Sequence, residues 1–155
     1  MPKKRSAGLL MFRRRDGIPE VFLVHPGGPF WANKDLGSWS IPKGEHEPGE
    51  DALEAAKREF KEETGFDLPE ELPGLRALGE ARQPSGKIVQ AWSFEGDCDP
   101  EAVRSNAFEM EWPPHSGIKE EFPEIDRAGW FPLETARQKI LKGQAAFLEE
   151  LERNL

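Results

Sequence analysis

The segment from Gly44 to Phe66, GEHEPGEDALEAAKREFKEETGF, constrains this chain more than any other. Glu59, Glu62 and Glu63 stand at i, i+3 and i+4, the spacing that gathers side chains on one side of an α-helix. At about 100° per residue, Ala52 and Ala55 fall on that side too, while Leu53, Ala56 and Phe60 form the adjoining apolar stripe. The carboxylates therefore flank a buried face, and small alanines leave room beside them. Three carboxylates this close repel one another and raise their own pKa values unless a cation sits among them. The helix is expected from Glu50 to Thr64. Glu50 and Asp51 suit the positive helix end, and Gly65 supplies a C-terminal stop.

The same residues carry a known pattern. Gly44, Glu50, Arg58, Glu59, Phe60, Glu62, Glu63, Gly65 and Phe66 occupy the fixed positions of the Nudix box, which this segment resembles in full. Its seven exact identities would arise by chance on the order of once in 10⁸ windows, taking each residue at roughly 7%. Phe at both apolar positions is bulkier than the aliphatic residues usual there and removes no charged group. The resemblance implies an α/β fold, the Nudix α/β/α sandwich with a mixed β-sheet, over residues 1–155 as a single domain.

The chemistry follows from carboxylates. Mg²⁺ is hard, octahedral and reluctant to shed water, so it favours carboxylate oxygens, phosphates and retained waters. Clusters of thiolate or imidazole are absent from the sequence, which leaves Mg²⁺ or Mn²⁺ ahead of zinc or copper. The resemblance implies Glu59 and Glu63 as direct ligands, joined by the backbone carbonyl of Lys43. Glu62 would bind through water or help deprotonate the attacking water. Arg58 has ordinary helix partners in Glu54 and Glu62, and the resemblance gives it the role of orienting a catalytic carboxylate. The reaction implied is attack of water on one phosphorus of a diphosphate linkage in a nucleoside diphosphate joined to a further group. A base must stand within hydrogen-bond reach of that water. Besides Glu62, the resemblance points to a loop before the last strand, where Glu120, Glu121 and Glu124 are found. Glu124 is favoured because Phe122-Pro123 and Ile125 would fix it against the body.

For substrate contacts, Trp31 and Phe30 are favoured for base stacking because their Gly/Pro-rich loop, HPGGPFWAN, lacks a core pattern. Lys43, Lys87 and Arg82 are candidates to touch phosphates. His25 and His115 read as ordinary turn residues. The chain has no tyrosine, which removes a residue that diadenosine polyphosphate hydrolases often carry past the box. Signatures of the ADP-sugar, NADH and coenzyme A branches are also absent. A nucleoside triphosphate or dinucleoside polyphosphate is the expected substrate. Hydrolysis of an RNA end, or a non-catalytic nucleotide-sensing or interaction module, are the alternatives. Intact metal-site glutamates favour the enzyme over the sensor.

Strands are expected at Ala7 to Arg14 and Val21 to Val24 around Asp16-Gly17, at Leu75 to Arg82 and Lys87 to Phe94 around Pro84-Ser85-Gly86, and at Ala107 to Trp112. Ser38 to Ile41 reads as short and extended, followed by a turn through Lys43-Gly44. A loop is expected from Pro113 to about Ile125, a brief strand at Gly129 to Phe131, and helix from Leu133 to Leu151 with a break near Gly143.

A net charge of −8 argues against a general nucleic-acid-binding surface, though not against a small phosphorylated ligand. Lys3, Lys4, Arg5 and Arg13 to Arg15 are read as a basic strand tip. No apolar run reaches the roughly 18 residues needed to span a membrane. The lone Cys98 cannot form an internal disulfide and fits a cytoplasmic setting. The sequence is compatible with pairing of protomers as a homodimer.

Overall fold

A computed structural model describes residues 5–155; Lys3 and Lys4 lie outside the described residues. Two apolar runs build the centre of the sheet: β1 (Arg5–Arg15) and β2 (Ile18–Pro26) form an antiparallel hairpin around Asp16 and Gly17. Both turn residues take positive φ, 53° and 78°, a conformation that Asp tolerates and Gly adopts freely. β3 (Lys43–Glu45) pairs antiparallel with the start of β1. After helix α1 (Ala52–Thr64) come β4 (Arg76–Arg82) and β5 (Ile88–Glu95), with β5 lying parallel to β1. β6 (Ala107–Glu111) and β7 (Lys119–Pro123) form a separate ribbon. β8 (Ile125–Pro132) closes the main sheet, whose order is β4-β5-β1-β2-β8 with β3 beside β1. Helices α2 (Leu133–Lys139) and α3 (Ala145–Arg153) follow.

Alternation along the central strands separates two cores. Ala7, Leu9 and Met11 of β1, with Phe22 and Val24 of β2, face α1 and pack with Ala55, Ala56, Phe60 and Phe94. Leu10 and Phe12, with Val21 and Leu23, face the other way onto Ala136, Phe147, Leu148 and Leu151. Period-two alternation thus sends every second side chain to a different helix layer, which explains why the runs are apolar throughout. The result is a mixed sheet between helices, as the sequence pattern implies.

Several elements differ from expectation. The helix begins at Ala52, because Asp51 acts as its N-cap and accepts from the Glu54 N–H at 3.0 Å. The expected turn at Lys43-Gly44 is strand β3. Gly8 permits that pairing, since a Cβ there would strike the Pro42 carbonyl at 2.7 Å and Lys43 Cβ at 2.8 Å. Ser38 to Ile41 makes only isolated bridges, Ser40 to Val24 and Trp39 to Ile140. The expected loop after Pro113 contains β7, and β8 starts at Ile125 rather than Gly129, because pairing with β6 and β2 supplies partners that local composition does not announce. The last helical stretch breaks into α2, a 3-10 turn at Lys142–Gln144, and α3.

Candidate active site

β1 exchanges partners along one edge. Its C-terminal half pairs with β2 and its N-terminal half with β3, so the ends of β2 and β3 part company. The gap between them opens a cleft of about 190 Å³ whose lining includes Val24, Trp31, Ser40, Lys43, Glu63 and Glu124. A larger hollow of about 650 Å³ lies around Arg13, Cys98 and Trp130. Of its two arginines, Arg13 is committed to Glu20 and Asp97, both at 2.8 Å, and burial pushes the Cys98 thiol up to about 12. Size therefore does not identify the site; the carboxylates do.

Helix α1 presses close to the sheet through Ala55 and Ala56, with Phe60 edge-on to Phe94 at 5.8 Å. That approach brings Glu59 against Gly44, where any Cβ would collide with the carboxylate. One turn on, Glu63 reaches the cleft floor, and its Oε1 accepts from the Lys43 backbone N–H at 3.0 Å. Burial pushes Glu63 up to about 8; the Lys43 N–H and ammonium pull the other way, and Glu59 and Glu124 add to the rise. Glu59 and Glu124 are also raised, in each case by desolvation first and by neighbouring carboxylates, Glu62 among them, to a smaller degree. Loss of water thus outweighs the mutual repulsion that the sequence suggests as the cause.

Arg58 restrains that repulsion. Its guanidinium donates to Glu59 at 2.8 Å, to Glu62 at 3.4 Å and to Glu50 at 3.3 Å. Glu54, the other helix partner considered, pairs with Lys57 instead. Among the described residues, no three His, Cys, Asp or Glu side chains are gathered tightly enough to enclose one ion; Arg58 draws Glu59 and Glu62 toward itself. The donors nonetheless suit a hard divalent cation. They are all oxygen, and the Glu63 carboxylate is partly buried with one backbone N–H as its hydrogen-bond donor.

The other expected residues divide. Trp31 lines the cleft, with the Lys34 ammonium 5.1 Å from its ring centre. Phe30 turns away and packs edge-on to Trp112 at 5.6 Å. The Lys43 side chain lies in the cleft wall, and burial lowers its pKa. Lys87 reaches across to β3 and pairs with Glu45 at 2.9 Å. Arg82 ends β4, the strand at the far edge of the sheet, and is not brought to the cleft. Of the loop acids, Glu124 faces the cleft, whereas Glu120 and Glu121 lie on exposed β7. His25 was missed. It is no turn residue: it lies in β2, fully buried, on the face that Val21 and Leu23 share. Continuing their period of two would have marked it.

The family profile described as NUDIX domain matches residues 2–151. The RNA pyrophosphohydrolase of Brucella anthropi is 32% identical over 161 residues, covering 94% of this chain and 80% of that protein. The protein of that name from Mesorhizobium japonicum is 28% identical, covering 97% and 88%. Among solved structures, an Ap4A hydrolase binary complex from C. elegans superposes with a TM-score of 0.64 at 24% identity, covering 97% of this chain and 96% of that one. The NUDIX domain of Shewanella oneidensis NrtR, complexed with ADP ribose, gives 0.63 at 17% identity, covering 99% and 89%. These two likenesses speak for the fold.

Proposed function

This chain belongs to the Nudix family, and from that premise we propose how its cleft carries out the hydrolysis of a diphosphate linkage in a nucleoside diphosphate derivative. It is a pyrophosphohydrolase acting on acid anhydrides, and enzymes of this family generally use divalent metal ions. The observation that carries the reading is Glu63, a partly buried carboxylate at the cleft floor that accepts from the Lys43 N–H, with Glu59 and Glu124 near enough to raise its pKa. A buried anion with so few partners is costly unless it meets a cation.

Glu59 and Glu63, with the Lys43 carbonyl and Glu62, would hold Mg²⁺, with Mn²⁺ as a substitute. A cation held there supplies positive charge to the phosphate oxygens and eases departure of the leaving group. Glu124 takes the proton of the attacking water, its raised pKa bringing it nearer the working pH of a base. Arg58 holds Glu59 and Glu62 in position. The Lys43 ammonium meets a phosphate, and Trp31 stacks on the base at the cleft mouth. Residues 1–155 act as one catalytic domain. No helix among the described residues is long and apolar enough to cross a membrane.

Nucleoside triphosphates and dinucleoside polyphosphates are the first substrates in this reading. A triphosphorylated RNA end is the second, favoured by the name of the relatives from Brucella and Mesorhizobium. The chain's net charge of −8 weighs against an extended nucleic-acid surface, but an RNA end needs only a local one. The test is product release from nucleoside triphosphates, dinucleoside polyphosphates and a 5′-triphosphorylated oligoribonucleotide, with Mg²⁺, Mn²⁺ or chelator. Metal-dependent cleavage of a small nucleotide supports the first substrates. Preference for the oligonucleotide, falling steeply with salt, supports the second. Tight binding without turnover would move the protein to the sensor class.

A further inference from the structure

We propose that His25 is a positioning residue that fixes the width of the cleft, by tying the loop that carries Trp31 to the turn that carries Glu124. The proposal rests on the assignment of Glu124 as the base. His25 is the last residue of β2 before the register with β8 shifts, and its side chain is fully buried. Its ring lies edge-on to Trp39 at 5.2 Å. Nδ1 stands 2.7 Å from Asp126 Oδ1. Nε2 stands 2.7 Å from the Lys34 carbonyl oxygen and 3.0 Å from Arg127 Nη2.

The contacts to Asp126 and Lys34 each lead to a wall of the cleft. Lys34 closes the turn that starts at Trp31, its N–H donating to the Trp31 carbonyl at 2.9 Å. Asp126 lies two residues after Glu124, and the Gly27 N–H donates to the Glu124 carbonyl at 2.8 Å beside it. One ring therefore spans the two walls, while Trp39 prevents it from turning. An apolar side chain of this size would fill the same space without the cost of burying polar atoms. What the imidazole adds is its directed contacts, to Asp126 at Nδ1 and to Lys34 and Arg127 at Nε2.

Removing it leaves few groups stranded. Asp126 is 29% exposed and can turn to water, and Arg127 Nη2 already donates to the Lys34 carbonyl at 3.3 Å. His25→Leu should therefore fold. The amide nitrogen of Asn falls near Nδ1 and that of Gln near Nε2, so each variant restores one half of the tie.

The experiment compares His25→Leu, His25→Asn and His25→Gln by steady-state kinetics on the substrate the panel identifies, each alone and combined with Glu124→Gln. His25→Leu is expected to lower kcat and raise KM, by up to ~10²-fold in kcat/KM, the scale of a 1 Å misplacement. His25→Asn should recover kcat through Asp126, and His25→Gln should recover KM through the Trp31 loop. With Glu124→Gln already present, His25→Leu should cost no further kcat. A full additional loss there overturns the proposal. So does a uniform decline of all three variants that tracks their melting temperatures. If Glu124→Gln alone leaves kcat intact, the base assignment fails and takes the Glu124 half of the tie with it. The Trp31 half then stands or falls on whether His25→Gln recovers KM.

Discussion

The molecule has two acid-rich regions with opposite properties. Helix α1 carries Glu59, Glu62 and Glu63, and the β6–β7 ribbon carries Glu109, Glu111, Glu120 and Glu121. Counted as charge, they are alike. On the ribbon the four glutamates are exposed, and Glu109 faces Glu121 directly across the strands. On α1 the alanines let the helix approach the sheet, so Glu63 is driven into the cleft floor and pushed up to about 8 by burial. Packing, rather than charge density, turns a carboxylate into a candidate ligand.

The largest effects should fall on the buried region. Glu63→Gln is expected to lower kcat/KM by roughly 10³-fold, the several kcal/mol that charge stabilisation by a metal supplies. Circular dichroism should show an unchanged fold, and activity near the parent level would sink the site. Glu124→Gln should cost kcat about 10²-fold, at the lower end of what a general base contributes. Stability gives an independent reading. In chelator, folded Glu63 keeps its proton up to about 8, whereas the unfolded chain releases it near the ordinary 4.5. Folding therefore loses stability as pH rises between those values, and the loss is complete above about 8. Glu63→Gln should abolish that part of the slope, so at pH values above this window the variant should melt higher than the parent in chelator. Adding Mg²⁺ should reverse the order.

Arg58 joins the two regimes, because it holds Glu50, Glu59 and Glu62 while its own side chain stays 41% exposed. Lysine keeps the charge but not the planar fork that reaches all three. Arg58→Lys is expected to reduce kcat/KM about 10-fold and weaken activation by metal, as loss of an orienting partner does. An unchanged metal requirement would confine Arg58 to ordinary helix pairing.

The sequence disclosed elements whose pattern is local. α1, β1 and β2 were legible because their apolar periods are long, and Gly44 to Phe66 fixed the carboxylates on one helix. β3 was hidden. Lys43, Gly44 and Glu45 have no strand pattern, and they pair only because Gly8 leaves space on β1. β7 was hidden for a related reason, since Lys119-Glu120-Glu121 owes its extended form to β6. Phe30 and Trp31 read alike as neighbours in one loop, yet only Trp31 lines the cleft. Arg82 and Lys87 were close in sequence to a turn, but sheet order decides which reaches β3. The period of two through Val21 and Leu23 extends to His25 and marks its burial, but its tie to Asp126, about a hundred positions away, is one that no local reading supplies.

The ribbon offers the smallest and most discriminating test. Glu121→Lys would turn the Glu109–Glu121 repulsion into an attraction between directly opposed residues. Both positions are exposed, so water screens the gain, and the melting temperature should rise only slightly at low ionic strength. At 1 M salt, where the Debye length is about 3 Å, even that rise should vanish. Activity on small nucleotides should stay within about twofold of the parent, the ordinary range for a surface substitution away from a site. A larger loss on small nucleotides would place the ribbon in the site and erase the contrast with α1. A gain confined to the oligoribonucleotide would instead mean that the ribbon's negative charge opposes a longer anionic substrate.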